Sequence, residues 1–263
     1  MRNAVRTSLR SIVAIVLASL CGSCSYSQKK MEPQSARGAA SPAQSPGKGF
    51  AVVELFTSEG CSSCPPADAL LPKLKELYGD RLHILSFHVD YWNRLGWKDP
   101  FSSANWSARQ NRYATVFHSE SVYTPQAVVN GTAHITGSNR AGVARLIDAG
   151  LEKPNTLTIS VNAQKDGVKA ISATYDAQLR PGEVLNVAFV QLRVSTDVKR
   201  GENGGRKLEH HSVVRDLKTV RSGAGQVSFI LPEGLNAGDV AVIAYAQEEA
   251  TMRITGAEEA TVR

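Results

Sequence analysis

Two cysteines separated by two serines, Cys61 and Cys64, form the stretch of the chain best suited to do chemistry. They follow a short apolar run at residues 50–56, which is typical of a buried β-strand. Pro65 and Pro66 come next, and proline is tolerated in the first turn of a helix because the missing N–H has no intrahelical acceptor there. A C-x-x-C between a strand and the start of a helix predicts thiol–disulfide chemistry.

The start of a helix also predicts different roles for the two thiols. Unpaired N–H groups and the positive end of the helix dipole lower the pKa of a thiol there, although Glu59 opposes this. We expect Cys61, in the more exposed position, to be the nucleophile and Cys64, one turn into the helix, to be the resolving thiol. No dissociable cofactor is expected, since the Cys61–Cys64 pair itself carries the electrons.

Two other interpretations of the C-x-x-C remain open. A non-catalytic binding protein could keep these cysteines as a structural disulfide. A copper chaperone could use them as ligands, with His88 at the end of the next predicted strand as a third. The sequence has no second C-x-x-C and no histidine pair with zinc spacing, so no metal site is predicted.

The amino terminus has the pattern of an export signal. Arg2, Arg6 and Arg10 precede a short apolar run at residues 12–20, which is too short to span a bilayer comfortably. Residues 20–24, L-C-G-S-C, are typical either of a bacterial lipobox with Cys24 as the acylated residue or of ordinary cleavage nearby. We expect an exported protein of the periplasm or cell envelope, which contacts the membrane only through this signal or a lipid on Cys24.

Charge limits the classes of partner. The formal net charge is +6, but without those three N-terminal arginines 27 basic side chains face 24 acidic ones. This balance gives no basis for nucleic-acid binding. The expected partners are thiols or disulfides, on proteins or small molecules, and a redox partner in the envelope.

The 263 residues are enough for two modest domains. Residues 1–24 are the signal segment, and residues 25–48, rich in Ser, Gln, Ala, Gly and Pro, predict a flexible tether. Residues 49–153 predict the order β-α-β-α-β-β-α, with a kink at Pro72 and a hairpin turn at Asn130-Gly131. Residues 154–263 predict six strands separated by turn residues, hence an antiparallel, sandwich-like all-β domain.

Asp90 and Trp92 follow the second predicted strand. Open α/β sheets build binding sites just outside the carboxyl ends of their strands. The two side chains are therefore candidates for substrate binding beside Cys61.

Five motifs carry a resemblance to a known family. They are E-L-F-T-S-E-G-C-S-S-C-P-P-A-D at 54–68, F-H-V-D-Y-W at 87–92, L-G-W-K-D-P-F at 95–101, Y-T-P-Q-A-V-V-N-G at 123–131 and G-E-N-G-G-R-K-L-E-H-H-S-V-V-R at 201–215. With them the chain resembles an uncharacterised family of exported bacterial thioredoxin-like proteins. The resemblance spans nearly all of the chain after the signal and implies a thioredoxin-like α/β fold for residues 49–153.

The resemblance also implies roles for particular residues. Pro125 would follow a cis peptide bond and face the dithiol, while the backbone of Thr124 would pair with an extended substrate. Glu54, on the first strand, is the candidate general base for the resolving thiol. The loop that begins at Gly201 is expected to fold over the dithiol.

Overall fold

The computed structural model describes residues 47–263. The predicted signal segment, the candidate acylation site at Cys24 and most of the predicted tether lie outside the described residues. Within residues 47–263, no helix is both long and apolar enough to cross a membrane.

The first part of the described chain alternates strands and helices in the predicted order. Its elements are β1 (Ala51–Thr57), α1 (Pro65–Asp68), α2 (Leu71–Tyr78), β2 (Leu82–His88), α3 (Ala104–Val116), β3 (Gln126–Val129), β4 (Ala133–Thr136) and α4 (Arg140–Leu151). The predicted kink at Pro72 is a break between α1 and α2, because this proline has no N–H to donate and its ring would clash with the carbonyl of residue 68. The Asn130-Gly131 turn has both residues at positive φ, as the hairpin signal predicts.

The second part consists of long antiparallel strands. They are β5 (Ile159–Asp166), β6 (Ala170–Ala177), β7 (Glu183–Asp197), β8 (Lys207–Val220), β9 (Ala224–Ile230), β10 (Val240–Glu248) and β11 (Ile254–Thr261). The sequence pattern did not predict β11, which contains Glu258 and Glu259 in a run rich in small residues. Glu259 lies in a partly buried ion pair, 2.8 Å from Lys75 Nζ, so tertiary contacts make this strand possible.

One sheet runs through both parts of the chain. Its strand order is β11-β10-β7-β8-β2-β1-β3-β4, and β8 lies parallel to β2 through the pair Ser86–Val213. The other three strands form a second sheet in the order β5-β6-β9. The segments predicted as separate domains, 49–153 and 154–263, therefore share a sheet, which the sequence could not indicate because strand patterns do not specify distant partners.

The sheets and helices enclose three apolar clusters. The three-stranded sheet packs on β7 and β10 through side chains such as Ile171, Phe229 and Phe189. On β1, Val53 and Leu55 face α2 and α4, whereas Val52 and Phe56 face α3 and the last two strands. The strand is thus covered on both sides, which explains its continuous apolar run.

Glu54 belongs to the α3 face of β1, where it is fully buried beside Arg109. The Arg109 Nε lies 2.6 Å from Glu54 Oε1, and the guanidinium also donates to Gln247 of β10 at 3.0 Å. Tyr113 donates a short hydrogen bond to the same carboxylate. Burial alone would lower the pKa of Arg109, but the adjacent carboxylate raises it above its ordinary value, so Arg109 is a buried cation. This pair connects α3, β1 and β10.

We expect Arg109→Met to destabilise the protein strongly, because it leaves the Glu54 carboxylate buried without its cation. The expected loss is about 3–5 kcal/mol in the free energy of unfolding, measured by urea denaturation. Arg112→Met is the control: Arg112 lies on the exposed side of the same helix, so its loss should cost less than about 0.5 kcal/mol. Similar losses in the two variants would contradict the structural role given to the buried pair.

Candidate functional site

Cys61 and Cys64 form a disulfide between β1 and α1. Cys64 caps α1, and its carbonyl accepts the N–H of Ala67 at 2.8 Å. Both cysteines are 0% exposed, whereas Ser62 and Ser63 between them are exposed. The prediction that Cys61 is the more exposed cysteine is therefore wrong for this disulfide form.

The loop between β7 and β8 covers the cysteines. The side chain of Asn203 in this loop is buried, and its amide donates to the carbonyls of Glu59 and Cys61, at 2.9 Å each. Glu202 accepts the N–H of Ser62 at 2.9 Å. The expectation that this loop folds over the dithiol is confirmed.

Three residues predicted near the dithiol do lie there. The Thr124–Pro125 peptide bond is cis, and the Thr124 carbonyl accepts a hydrogen bond of 3.4 Å from Ser63 Oγ, which itself lies 3.4 Å from Cys61 Sγ. Trp92 Nε1 donates to Thr124 Oγ1 at 2.8 Å. A Cβ at Gly60 would lie 3.0 Å from Trp92 Cβ, so the turn before Cys61 packs closely against Trp92.

Asp90 and Glu54, which were predicted to act at the dithiol, instead contact residues of α3. Asp90 accepts from Ser107 Oγ at 2.5 Å, which ties it to the first turn of α3. The general-base prediction for Glu54 is corrected by the structure. Because side chains alternate along a strand, Glu54 faces α3 and its carboxylate is occupied by Arg109 and Tyr113, while α1 and Cys64 lie on the opposite face.

Buried ionisable side chains do lie next to the dithiol, and we call five of them the ionic cluster: Glu59, Asp68, His88, Asp99 and His210. His210, from β8, reaches Glu59 Oε1 with its Nε2 at 3.2 Å and lies 3.8 Å from Asp68 Oδ1 with its Nδ1. His88 Nδ1 lies 2.7 Å from Asp99 Oδ2, and the two histidine rings are 4.7 Å apart. All five are almost completely buried.

Further hydrogen bonds attach the ionic cluster to the turn before Cys61. The Glu59 N–H donates to Asp99 at 2.8 Å, and Trp97 donates to the Glu59 carboxylate at 2.7 Å. Thr57 Oγ1 donates to Asp68 at 3.0 Å. Within residues 47–263, Asp68 Oδ1 and His210 Nδ1 have no hydrogen-bond partner. These two atoms lie 3.8 Å from each other.

The cluster shifts the pKa of two of its members. Burial disfavours the charged form of His210, but the neighbouring carboxylates of Asp68 and Glu59 outweigh burial and raise its pKa from 6.5 to about 10. Burial alone would raise the pKa of Asp99. The interaction with His88 and the hydrogen bonds from the N–H groups of Glu59 and Phe101 have the larger, opposite effect, so the pKa of Asp99 is lowered overall. His210 is thus a buried cation and Asp99 a carboxylate at neutral pH.

Sequence reasoning missed Asp68, Asp99 and His210. All three residues belong to motifs that carry the family resemblance, which was the available signal. His210 lies far along the chain, and only β8 beside β2 brings it to the dithiol. Within the described residues, no group of three or more His, Cys, Asp or Glu side chains is arranged to hold a metal ion.

Comparison with known proteins places the chain in a family. The model of the family described as "Protein of unknown function (DUF1223)" matches residues 52–247. The protein belongs to the DUF1223 family.

A solved structure resembles this DUF1223 protein over most of its length. The crystal structure of protein AGR_C_4864 from Agrobacterium tumefaciens is 30% identical, with 80% of this chain and 92% of that chain covered and a TM-score of 0.56. A domain of the outer membrane lipoprotein Omp28 from Porphyromonas gingivalis is 13% identical, with 41% and 88% covered and a TM-score of 0.25. No curated protein matches.

The raised pKa of His210 predicts a pH-dependent stability. Its protonated form is stabilised in the folded state, so this contribution is complete below about pH 6.5 and is lost as the pH rises towards 10. The stability difference between the wild type and His210→Gln should therefore shrink over this window, by up to about 1.4 kcal/mol per pH unit.

Urea denaturation at a series of pH values measures this difference, and His211→Gln is the matched control. His211 is the next residue and contacts the exposed Glu209, so its variant should follow the wild type across the window. A His210→Gln difference that does not change between pH 6.5 and 10 would show that His210 is not held as a cation.

Proposed function

We propose that this DUF1223 protein is an exported thiol–disulfide oxidoreductase that acts through Cys61 and Cys64. The observation that carries the proposal is the place of the disulfide. It lies between a strand and a helix N-terminus, beside the cis Thr124–Pro125 bond and Trp92. A thiolate in this position is stabilised by the helix end, which is the condition for nucleophilic attack.

A thioredoxin-like fold for residues 49–153 is part of the proposal. Its support is topological: the strand order is β2-β1-β3-β4, with β2 parallel to β1 and β3 antiparallel to both β1 and β4. The helices between these strands pack on both sides of β1. The cysteines then occupy the junction of the first strand and the first helix.

The proposed reaction transfers two electrons between dithiol and disulfide. The Cys61 thiolate attacks a substrate disulfide, which forms a Cys61–substrate bond and releases the other substrate sulfur as a thiolate. Cys64 loses its proton and attacks the Cys61 sulfur, so the Cys61–Cys64 bond forms and the second substrate thiolate leaves. The same steps in reverse would oxidise a substrate dithiol.

Asp68 and His210 take the role that the sequence assigned to Glu54. Asp68 follows Cys64 by one helical turn, and its N–H donates to the Cys64 carbonyl at 3.2 Å. Residues four apart share one face of a helix, so the Asp68 carboxylate lies on the same side as the Cys64 sulfur. With its unpartnered Oδ1 and the adjacent His210 cation, this carboxylate can accept the thiol proton of Cys64.

The proposal places the protein in the periplasm or cell envelope. Its basis is the basic and apolar pattern of residues 1–24. The mature protein would either carry a lipid on Cys24 or be released by ordinary signal cleavage. The partners would be thiols or disulfides of proteins or small molecules and an envelope redox partner. No dissociable cofactor is required, because the Cys61–Cys64 pair stores both electrons.

One observation favours a second candidate, a binding protein with a structural disulfide. Both sulfur-bearing residues are completely buried, as expected of a bond that is not meant to exchange. The two candidates differ in the reduction potential of the disulfide, since structural bonds have potentials below about −300 mV.

We expect a potential between about −270 and −120 mV, the range of thioredoxin and the oxidant DsbA. The full chain would be equilibrated with glutathione buffers, and Cys61 and Cys64 would be read out by thiol labelling and peptide mapping. A potential below about −300 mV would favour the binding protein and would contradict the oxidoreductase.

The roles of the two cysteines have a separate test. Reduced Cys64→Ser, exposed to oxidised glutathione, should accumulate an adduct on Cys61, because the resolving thiol is missing. The wild type should release the glutathione and end with the Cys61–Cys64 bond, and Cys61→Ser should give little adduct because the assigned nucleophile is missing. Intact and peptide mass spectrometry measures all three. An adduct on Cys64 rather than Cys61 would reverse the assigned roles.

A further inference from the structure

The loop over the dithiol, residues 198–206, is held in place by specific contacts, and we call it the strap. It is closed at its base by hydrogen bonds from the Val198 N–H to the Arg206 carbonyl and from the Gly205 N–H to the Val198 carbonyl. Asn203 is 0% exposed, and Arg206 donates to its side-chain oxygen at 2.8 Å. The Asn203 amide bridges two carbonyls on the turn of Cys61, so Cys61 is inaccessible to a polypeptide while the strap is closed.

Glu202 occupies a position that suits a negatively charged ligand. Its carboxylate accepts the N–H of Ser62, in the turn before α1, and this contact lowers its pKa. The side chain itself is exposed, so it can leave this donor without any loss of packing. A carboxylate from another molecule could take the same donor in its place.

The strap and the neighbouring loop carry a basic surface, which we call the basic rim. Gly201 of the strap lies against Trp97, since a Cβ there would be 3.2 Å from the Trp97 Cβ, so residues 92–98 adjoin the strap. The exposed cations of the rim are Arg94, Lys98, Lys199, Arg200 and Lys207. Within residues 47–263, none of the five forms an ion pair with a carboxylate.

We propose that the strap selects acidic polypeptide substrates: an acidic segment docks on the basic rim, replaces Glu202 at the Ser62 N–H and opens the strap over Cys61. This inference rests on the proposed function and adds its substrate class. A cluster of unpaired cations beside the reactive group attracts negative chains and raises their rate of encounter. The displaced strap then leaves the Thr124 backbone accessible to the same segment.

The test compares two synthetic peptides of equal length, each with one cysteine in a disulfide with a coloured aryl thiol. One peptide has glutamates around the cysteine, and the other has lysines. The protein is reduced Cys64→Ser with Cys21→Ala and Cys24→Ala, so Cys61 is its one thiol. Attack by Cys61 on the peptide sulfur forms the Cys61–peptide bond and releases the aryl thiolate, whose colour gives the rate.

We expect the acidic peptide to react about tenfold faster or more at low ionic strength, by electrostatic steering. The preference should nearly vanish at about 1 M salt, where the screening length is about 3 Å. Lys98→Glu/Arg200→Glu should abolish or reverse it. The control Lys165→Glu/Lys169→Glu makes the same charge change on the exposed β5–β6 hairpin and should keep the preference.

The strap itself is tested by Asn203→Ala and by the exposed variant Glu202→Ala, which keeps the test valid if the buried change impairs folding. Both should speed the reaction of both peptides severalfold. Equal rates for the two peptides, or a faster basic peptide, would overturn the inference while leaving the oxidoreductase in place. A Cys61 that releases no aryl thiolate in any variant would instead contradict the proposed function.

Discussion

The pairing of β8 with β2 is the contact on which the candidate site depends. It adds the strands of the second part of the chain to the sheet that carries the cysteines. Strand β8 places His210 beside Glu59 and Asp68, and the loop before β8 is the strap. Without this pairing, Glu59 and Asp68 would lose the neighbouring His210 cation and the turn of Cys61 would lose its contacts with Asn203.

Buried charge is used twice in this fold, on opposite faces of β1, and the two uses differ. On the α3 face, Glu54 and Arg109 are fully paired, which suits a fixed link between elements. On the dithiol face, Asp68 and His210 are close but leave one polar atom each without a partner. An incompletely satisfied buried pair is costly, and such sites are found where proton transfer is needed.

The closed strap reconciles a reactive motif with buried sulfurs. The C-x-x-C has the helix N-terminus that activates a thiolate, yet the Asn203 amide and the Glu202 carboxylate occupy the backbone groups around it. Reactivity would then be controlled by access rather than by the intrinsic chemistry of the cysteines. In the proposed mechanism, the surface of unpaired cations beside the strap would make access depend on the charge of the incoming molecule.

The sequence by itself determined the local features: the strand before Cys61, the helix start after Cys64, the hairpin at Asn130-Gly131 and the order of strands and helices in residues 49–153. These follow from spacing, proline and glycine, which act over a few residues. The face of Glu54, the burial of both cysteines and the ionic cluster were decided by tertiary structure. These features depend on which distant strands and helices pack against each face of a strand. The hydrophobic pattern of β8 does not specify that β2 is its neighbour.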